Sequence, residues 1–209
     1  MNIYKDMHLN ILSDSQQKLI ELVSEFGNNF YLVGGTALAL QLGHRCSIDF
    51  DLFSLSSFNG DEIKNRVGKS WEINQVYVSS KDELTMMVQG VKMTWYRYQF
   101  DILSNIKWLE VINMPNPLHI AAMKAYALGH RAKWKDYVDL YFLFKRYSLE
   151  EVVALTTKIF GNELFDERLL REQLVYYDDV DFSEKIEFMP GFEVGEGKIK
   201  DFLVKVATA

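Results

Sequence analysis

A chain of 209 residues with 48% hydrophobic and 14% aromatic side chains can bury one substantial core, or a core plus a smaller helical lobe, which excludes a disordered polypeptide. Its single cysteine, Cys46, excludes an internal disulfide and a cysteine-based zinc site, and fits a reducing, cytoplasmic setting. The net charge of −6 excludes a simple electrostatic nucleic-acid binder.

The charge is unevenly spread. Residues 147–209 hold fourteen Asp/Glu against seven Lys/Arg, and the acidic end reads as solvated helical surface. Residues 123–146 hold six Lys/Arg against two Asp, which leaves room for a local basic patch. Met1–Asp6 shows no basic segment followed by an apolar run, so no signal peptide is expected. No stretch approaches the length of a membrane span, so no membrane partner is expected.

In chain order, residues 14–26 read as an amphipathic helix with Leu19, Leu22, Val23 and Phe26 on one side. Phe30–Val33 is a short apolar strand ended by Gly34-Gly35. Thr36–Leu42 is a helix of small and apolar residues stopped by Gly43. Ile48–Phe53 alternates strictly and predicts a strand with Asp49 and Asp51 on one face and Ile48, Phe50 and Leu52 on the other. A helix over 60–67 follows Asn59. Then come strands over 71–78, 85–88 and 91–100, the last two joined by a hairpin at Gln89-Gly90, and a further strand over 106–111.

After Pro115 and Pro117 the pattern turns helical. Helices are predicted from Pro117 to about Leu128, from Trp134 to Arg146, over 152–160 behind a capping box at Ser148 and Glu151, over 163–177 and over 197–206. The expected fold class is α+β: a mixed sheet flanked by helices in residues 1–114, and a helical lobe in residues 115–209 that completes an active-site cleft.

The chemistry concentrates between Phe30 and Phe53. Glycines where a strand enters a helix let backbone N–H groups approach a phosphate, and the helix N-terminus favours the anion. Thr36 adds a hydroxyl there, and Arg45 and Ser47 can help to position phosphates beside the acidic pair. Asp49 and Asp51 offer two hard oxygen donors, which suit a Mg²⁺ or Mn²⁺ ion that also keeps water and phosphate ligands. Together they form a phosphoryl-transfer constellation. Alone, Gly-Gly is often a turn and Asp-x-Asp a polar strand face. Their ordered combination is far more specific.

In the helical part, Lys124 lies among Ala121, Ala122, Ala125 and Ala127, with space for a ligand and few expected partners. It can act as a point charge on a triphosphate. Asp136 and Asp139 are one turn apart on a face shared with Leu140 and Leu143. They are either members of a buried ion pair with Lys124 or Arg131, or participants in the site. His130–Lys135, basic with Trp134 among the charges, could hold an RNA backbone and stack a base, or could be an ordinary exposed loop.

Leu32–Leu40 and Gly43–Phe53 resemble the first motif of the AbiEii/AbiGii toxin family, a branch of the polymerase-β-like nucleotidyltransferases. Ile120–Ala125, Arg131 and Lys135–Tyr141 resemble a second motif of that family, and the two anchor roughly residues 30–145. The resemblance implies a nucleotidyltransferase-type fold and transfer of a nucleoside monophosphate from a metal-bound NTP to an acceptor hydroxyl, on an RNA 3′ end or a protein. It also implies a toxin paired with an antitoxin protein.

On that reading, Asp49, Asp51, Lys124 and Asp139 are catalytic. Gly34, Gly35, Thr36, Arg45, Ser47, Lys124 and Asp136 bind the nucleotide, and Asp49 and Asp51 hold the metal. The superfamily's third carboxylate has two candidates, Asp101 and Asp139. The alternative is a catalytically weak module of the same fold that binds RNA or a partner protein.

Overall fold

In the computed structural model, which describes residues 7–209, the chain divides into two compact units at Pro115/Asn116. The expectation for Met1–Asp6 lies outside the described residues.

The first unit is built on a seven-stranded mixed sheet in the order β3-β4-β5-β2-β1-β7-β6. Its strands are β1 (Tyr31–Val33), β2 (Phe50–Ser54), β3 (Ile73–Ser79), β4 (Glu83–Val88), β5 (Val91–Arg97), β6 (Ile106–Trp108) and β7 (Ile112–Met114). β2 runs antiparallel to β1 and parallel to β5, with Val33 opposite Asp51 and Asp51 opposite Thr94. Alternation along β5 buries Val91, Met93 and Trp95 and leaves Lys92, Thr94 and Tyr96 half-buried on the other face.

The predicted first helix is broken at Leu19 into α1 (Asp14–Lys18) and α2 (Ile20–Glu25), yet Leu19, Leu22, Val23 and Phe26 are all buried as expected. Phe26 meets Trp95 edge-on, with ring centroids 5.3 Å apart, which places this helical segment over the apolar sheet face. α4 (Gly60–Val67) is capped by Asn59, whose side-chain oxygen accepts from the Asp61 N–H at 2.9 Å. Gln89 and Gly90 both take positive φ (51° and 78°), the backbone that a two-residue hairpin between twisted strands requires.

Boundaries differ from the sequence reading at several places. β2 begins at Phe50 rather than Ile48, and Ile48 is 68% exposed instead of lying on the buried face with Phe50 and Leu52. β5 ends at Arg97, so Asp101 stands beyond the strand rather than at its end. The predicted strand over 106–111 is β6 followed by a turn, in which Leu109 takes φ 48° and the Val111 N–H donates to the Trp108 carbonyl at 2.9 Å, and the unpredicted β7 lies beyond it.

The second unit is helical: α5 (Pro117–Leu128), α6 (Trp134–Leu143), α7 (Leu149–Phe160), α8 (Glu167–Val175) and α9 (Glu196–Thr208). Asn116 caps α5 with Pro117 in its first turn, and Ser148 and Glu151 form the expected capping box on α7. α6 stops at Leu143 rather than Arg146, because the chain must turn before the Ser148 cap. Within this unit Tyr126 stacks on Phe160 at 4.0 Å and joins α5 to α7. Tyr141 meets Phe202 edge-on at 5.0 Å and joins α6 to α9.

The acidic end is more than solvated helix. Residues 176–195 form an irregular segment that packs on the basic stretch 130–135. Trp134 is buried against Phe182 and Tyr137, and the Lys133 and Lys135 ammonium groups both bond to Glu184, at 2.7 and 2.5 Å. The structure therefore corrects the picture of an open basic loop offering an aromatic ring. The ring is already stacked, and two of the charges are already paired. Burial pushes the Glu184 carboxyl up, but the bonds from Lys133 and Lys135 outweigh it and hold the carboxyl down at about 2.

Candidate functional site

β1 runs directly into α3 (Gly34–Leu42), which starts at Gly34 rather than Thr36. Gly34 takes φ +71°, a conformation that L side chains rarely adopt, and a Cβ there would stand 2.6 Å from the Asp51 Oδ2 atom. At Gly35 a Cβ would stand 2.5 Å from Arg45 Nη2 and 3.0 Å from Ser47 Oγ. Both glycines are therefore places where polar side chains close on bare backbone. Gly43 ends the helix in the left-handed region, its N–H donating to the Ala39 carbonyl at 2.8 Å.

The loop from Gly43 to Asp49 is tied back onto the start of α3. Thr36 Oγ1 lies 2.9 Å from Ser47 Oγ and donates to the Asp49 carbonyl. Arg45 is buried, and its Nη1 donates to the Cys46 carbonyl at 2.9 Å. Thr36 is itself buried, so its hydroxyl shapes the loop that delivers Asp49.

Asp51 alternates with buried Phe50 and Leu52 and faces the opposite side of the sheet. Asp49, one residue before the strand, reaches the same side, because its Oδ2 lies 3.0 Å from Nζ of Lys92. The structure thus brings together Gly34, Gly35, Thr36, Arg45, Ser47, Asp49 and Asp51.

Lys92 was not found from the sequence. Its signal was present, as a charged position between buried residues of the alternating strand β5, but only the β2–β5 register shows which residue it meets. Tyr31 lies near this region too. Burial raises its phenol well above the ordinary range, with the Asp101 charge as the second cause.

Two carboxylates beside a turn with room for backbone–phosphate contact fit a hard divalent cation that takes its other ligands from water and phosphate. Among the described residues no group of three or more His, Cys, Asp or Glu side chains is placed to hold a metal ion. Asp101 is exposed and does not complete such a group.

In the second unit Lys124 is buried, with Nζ 2.6 Å from Asp136 Oδ1 and 2.7 Å from Asp139 Oδ2. Arg131 Nη2 approaches Asp136 Oδ2 at 3.5 Å, too long for a hydrogen bond. The expectation that Lys124 has few partners is corrected. Ala121, Ala122 and Ala125 are packed away, and the ammonium is held by the two carboxylates that α6 presents one turn apart.

The family model for the AbiEii nucleotidyl transferase toxin of type IV toxin–antitoxin systems matches residues 19–76, the stretch that contains β1, the Gly34-Gly35 turn and β2. The Aquifex aeolicus (strain VF5) protein aq_aa25, itself uncharacterised, is 31% identical over 204 residues, 92% of this chain and 98% of its own length. Two solved structures share the fold. An H. pylori protein described as a nucleotidyltransferase has a TM-score of 0.57 at 19% identity, over 96% of this chain and 92% of its own. The Mycobacterium tuberculosis nucleotidyltransferase toxin MenT4 has a TM-score of 0.57 at 16% identity, over 92% and 80%. With the motif, the fold and these matches in agreement, the chain belongs to the AbiEii family of nucleotidyltransferase toxins.

Proposed function

We propose that this protein transfers a nucleoside monophosphate from an NTP to an acceptor hydroxyl, as the toxin of a toxin–antitoxin pair. The observation that carries the reading is the closure of the Asp51, Arg45 and Ser47 side chains on the bare backbone of Gly34-Gly35, with Asp49 delivered alongside. Gly34, Gly35, Thr36, Arg45 and Ser47 cradle the phosphates. Asp49 and Asp51 would hold a Mg²⁺ or Mn²⁺ ion, which supplies charge neutralisation on the triphosphate. The acceptor oxygen attacks the α-phosphorus in line, the bond to the bridging oxygen breaks, and pyrophosphate leaves. The acceptor class we favour is an RNA 3′ end, with a protein side chain as the second choice. The partner is a cognate antitoxin protein. The place of action is the cytoplasm, in line with a single cysteine and with the absence, among the described residues, of any helix long and apolar enough to cross a membrane.

The parts of Lys124, Asp136 and Asp139 in nucleotide binding and catalysis, implied by the family resemblance, belong to the same proposal, with Asp139 as the candidate third carboxylate. Their mutual ion pairs are a structural role in any case. Lys124→Arg keeps the charge and separates the two roles. A raised KM for NTP in a variant that melts near wild type supports the nucleotide role, and an unchanged KM removes it.

One observation favours the second reading, a module that binds RNA or a protein without transfer. Within the sheet, the positions beside Asp49 and Asp51 on β5 are Lys92 and Thr94, not an acid. Incubation with each α-labelled NTP, metal and total RNA decides between the two. Label on RNA or protein that vanishes in Asp49→Asn and Asp51→Asn supports the enzyme. Binding without label, equal in all three proteins, supports the module.

A further inference from the structure

We propose that Lys92 is the resident counter-cation of the carboxylate site, displaced from Asp49 when a divalent metal binds and then available to the triphosphate. The inference deepens the reading of Asp49 and Asp51 as metal ligands and rests on it. β5 lies parallel to β2, with Met93 opposite Phe50 and Thr94 opposite Asp51, so the position beside Asp49 is Lys92. Val91 and Met93, on either side of it, are buried, so the strand cannot rotate the lysine away from this face.

The resulting ion pair is 3.0 Å long and unevenly exposed: the Asp49 side chain is 18% exposed and the Lys92 side chain 40%. Two acidic residues spaced two apart repel each other, and the ammonium of Lys92 relieves that repulsion at Asp49. A lysine suits this task better than an arginine. Its charge is a compact point on a flexible four-carbon stem, so it can leave one oxygen and reach another while the strand stays fixed. A metal that takes Asp49 must first compete with that ammonium. When metal and nucleotide arrive together, the released ammonium faces the anionic phosphates at the Gly34-Gly35 turn, and both cations are satisfied.

The test uses the full-length protein and Mn²⁺ alone, followed through the paramagnetic signal of the free ion, in wild type, Lys92→Met, Lys92→Gln, Lys92→Arg and Asp51→Asn. Loss of the competing charge is expected to tighten Mn²⁺ binding on the order of tenfold in Lys92→Met and Lys92→Gln, while Lys92→Arg stays near wild type. In a second titration with Mn²⁺ and a non-hydrolysable NTP analogue, the same two neutral variants are expected to bind the nucleotide several-fold more weakly. Opposite signs in the two titrations are the signature of a cation that changes partners. Unchanged or weaker Mn²⁺ binding in the neutral variants, with Asp51→Asn abolishing it, overturns the Lys92 inference and leaves the metal reading standing. Mn²⁺ binding that Asp51→Asn does not alter, or none in wild type, overturns the metal reading and the inference with it.

Discussion

Replacing Lys124 with Met tests how the helical unit is held together. The side chain is 7% exposed, and its ammonium sits 2.6 and 2.7 Å from two carboxylates whose side chains are themselves 1% and 0% exposed. Methionine fills a similar volume, so the cavity contribution is small and the electrostatic one dominates. Without the ammonium, Asp136 and Asp139 remain as buried like charges one helical turn apart, and Arg131, 3.5 Å from Asp136, is exposed. Breaking a buried pair from one side costs about 3–5 kcal/mol. For a chain of this size that corresponds to roughly 6–20 °C in Tm.

The assay is thermal unfolding followed by circular dichroism, run as a double-mutant cycle with Asp139→Asn. The double variant also removes one of the two buried negative charges, so it should recover about half of the loss. A Lys124→Met protein that melts within about 2 °C of wild type refutes the reasoning, because that difference is worth less than about 1 kcal/mol. It would mean that water reaches the carboxylates, or that they protonate at little cost.

Three further predictions concern the other charged sites and the glycine turn. Gly34→Ala forces a Cβ into a positive-φ residue against the Asp51 carboxylate. It should lower stability by about 1–2 kcal/mol and abolish stabilisation by Mg²⁺ plus NTP in a thermal shift assay, whereas retained ligand stabilisation would show that the turn does not hold phosphate. Asp49→Asn and Asp51→Asn should each fold and each lose metal-dependent NTP stabilisation, and a wild-type response in either would remove that residue from the metal site. Glu184, held at about 2 in the folded protein against an ordinary 4.5, contributes stability that is present above pH 4.5 and is lost as pH falls toward 2. Because the carboxylate is more than a third exposed, solvent screening reduces that contribution to about 1 kcal/mol. The Tm gap between wild type and Glu184→Gln should be present at pH 7 and shrink steadily below pH 4.5, and a gap that is the same at pH 3 would contradict the pairing.

Much of the site was legible locally. Gly34-Gly35 and the Asp49/Asp51 pair lie within eighteen residues, joined by one helix and one loop, and their chemistry follows from backbone permissiveness and residue spacing. Caps behaved the same way: Asn59 and Ser148 mark helix starts because a cap is satisfied by atoms two or three residues away. The hairpin at Gln89-Gly90 is local too.

What the sequence could not supply were pairings made across many residues. Lys92 meets Asp49 only because β5 slides in beside β2 in one register. Lys124 looked open among alanines because small residues suit a ligand and a neighbouring helix equally well, and only the packing of α6 on α5 put two carboxylates there. The basic stretch around Trp134 looked available because nothing in its own composition shows that Phe182 and Glu184, some fifty residues later, return to cover it. A residue type states which interactions a side chain can make. Which of them it makes is decided by the tertiary fold, since competing partners of similar chemistry are chosen by distance and burial.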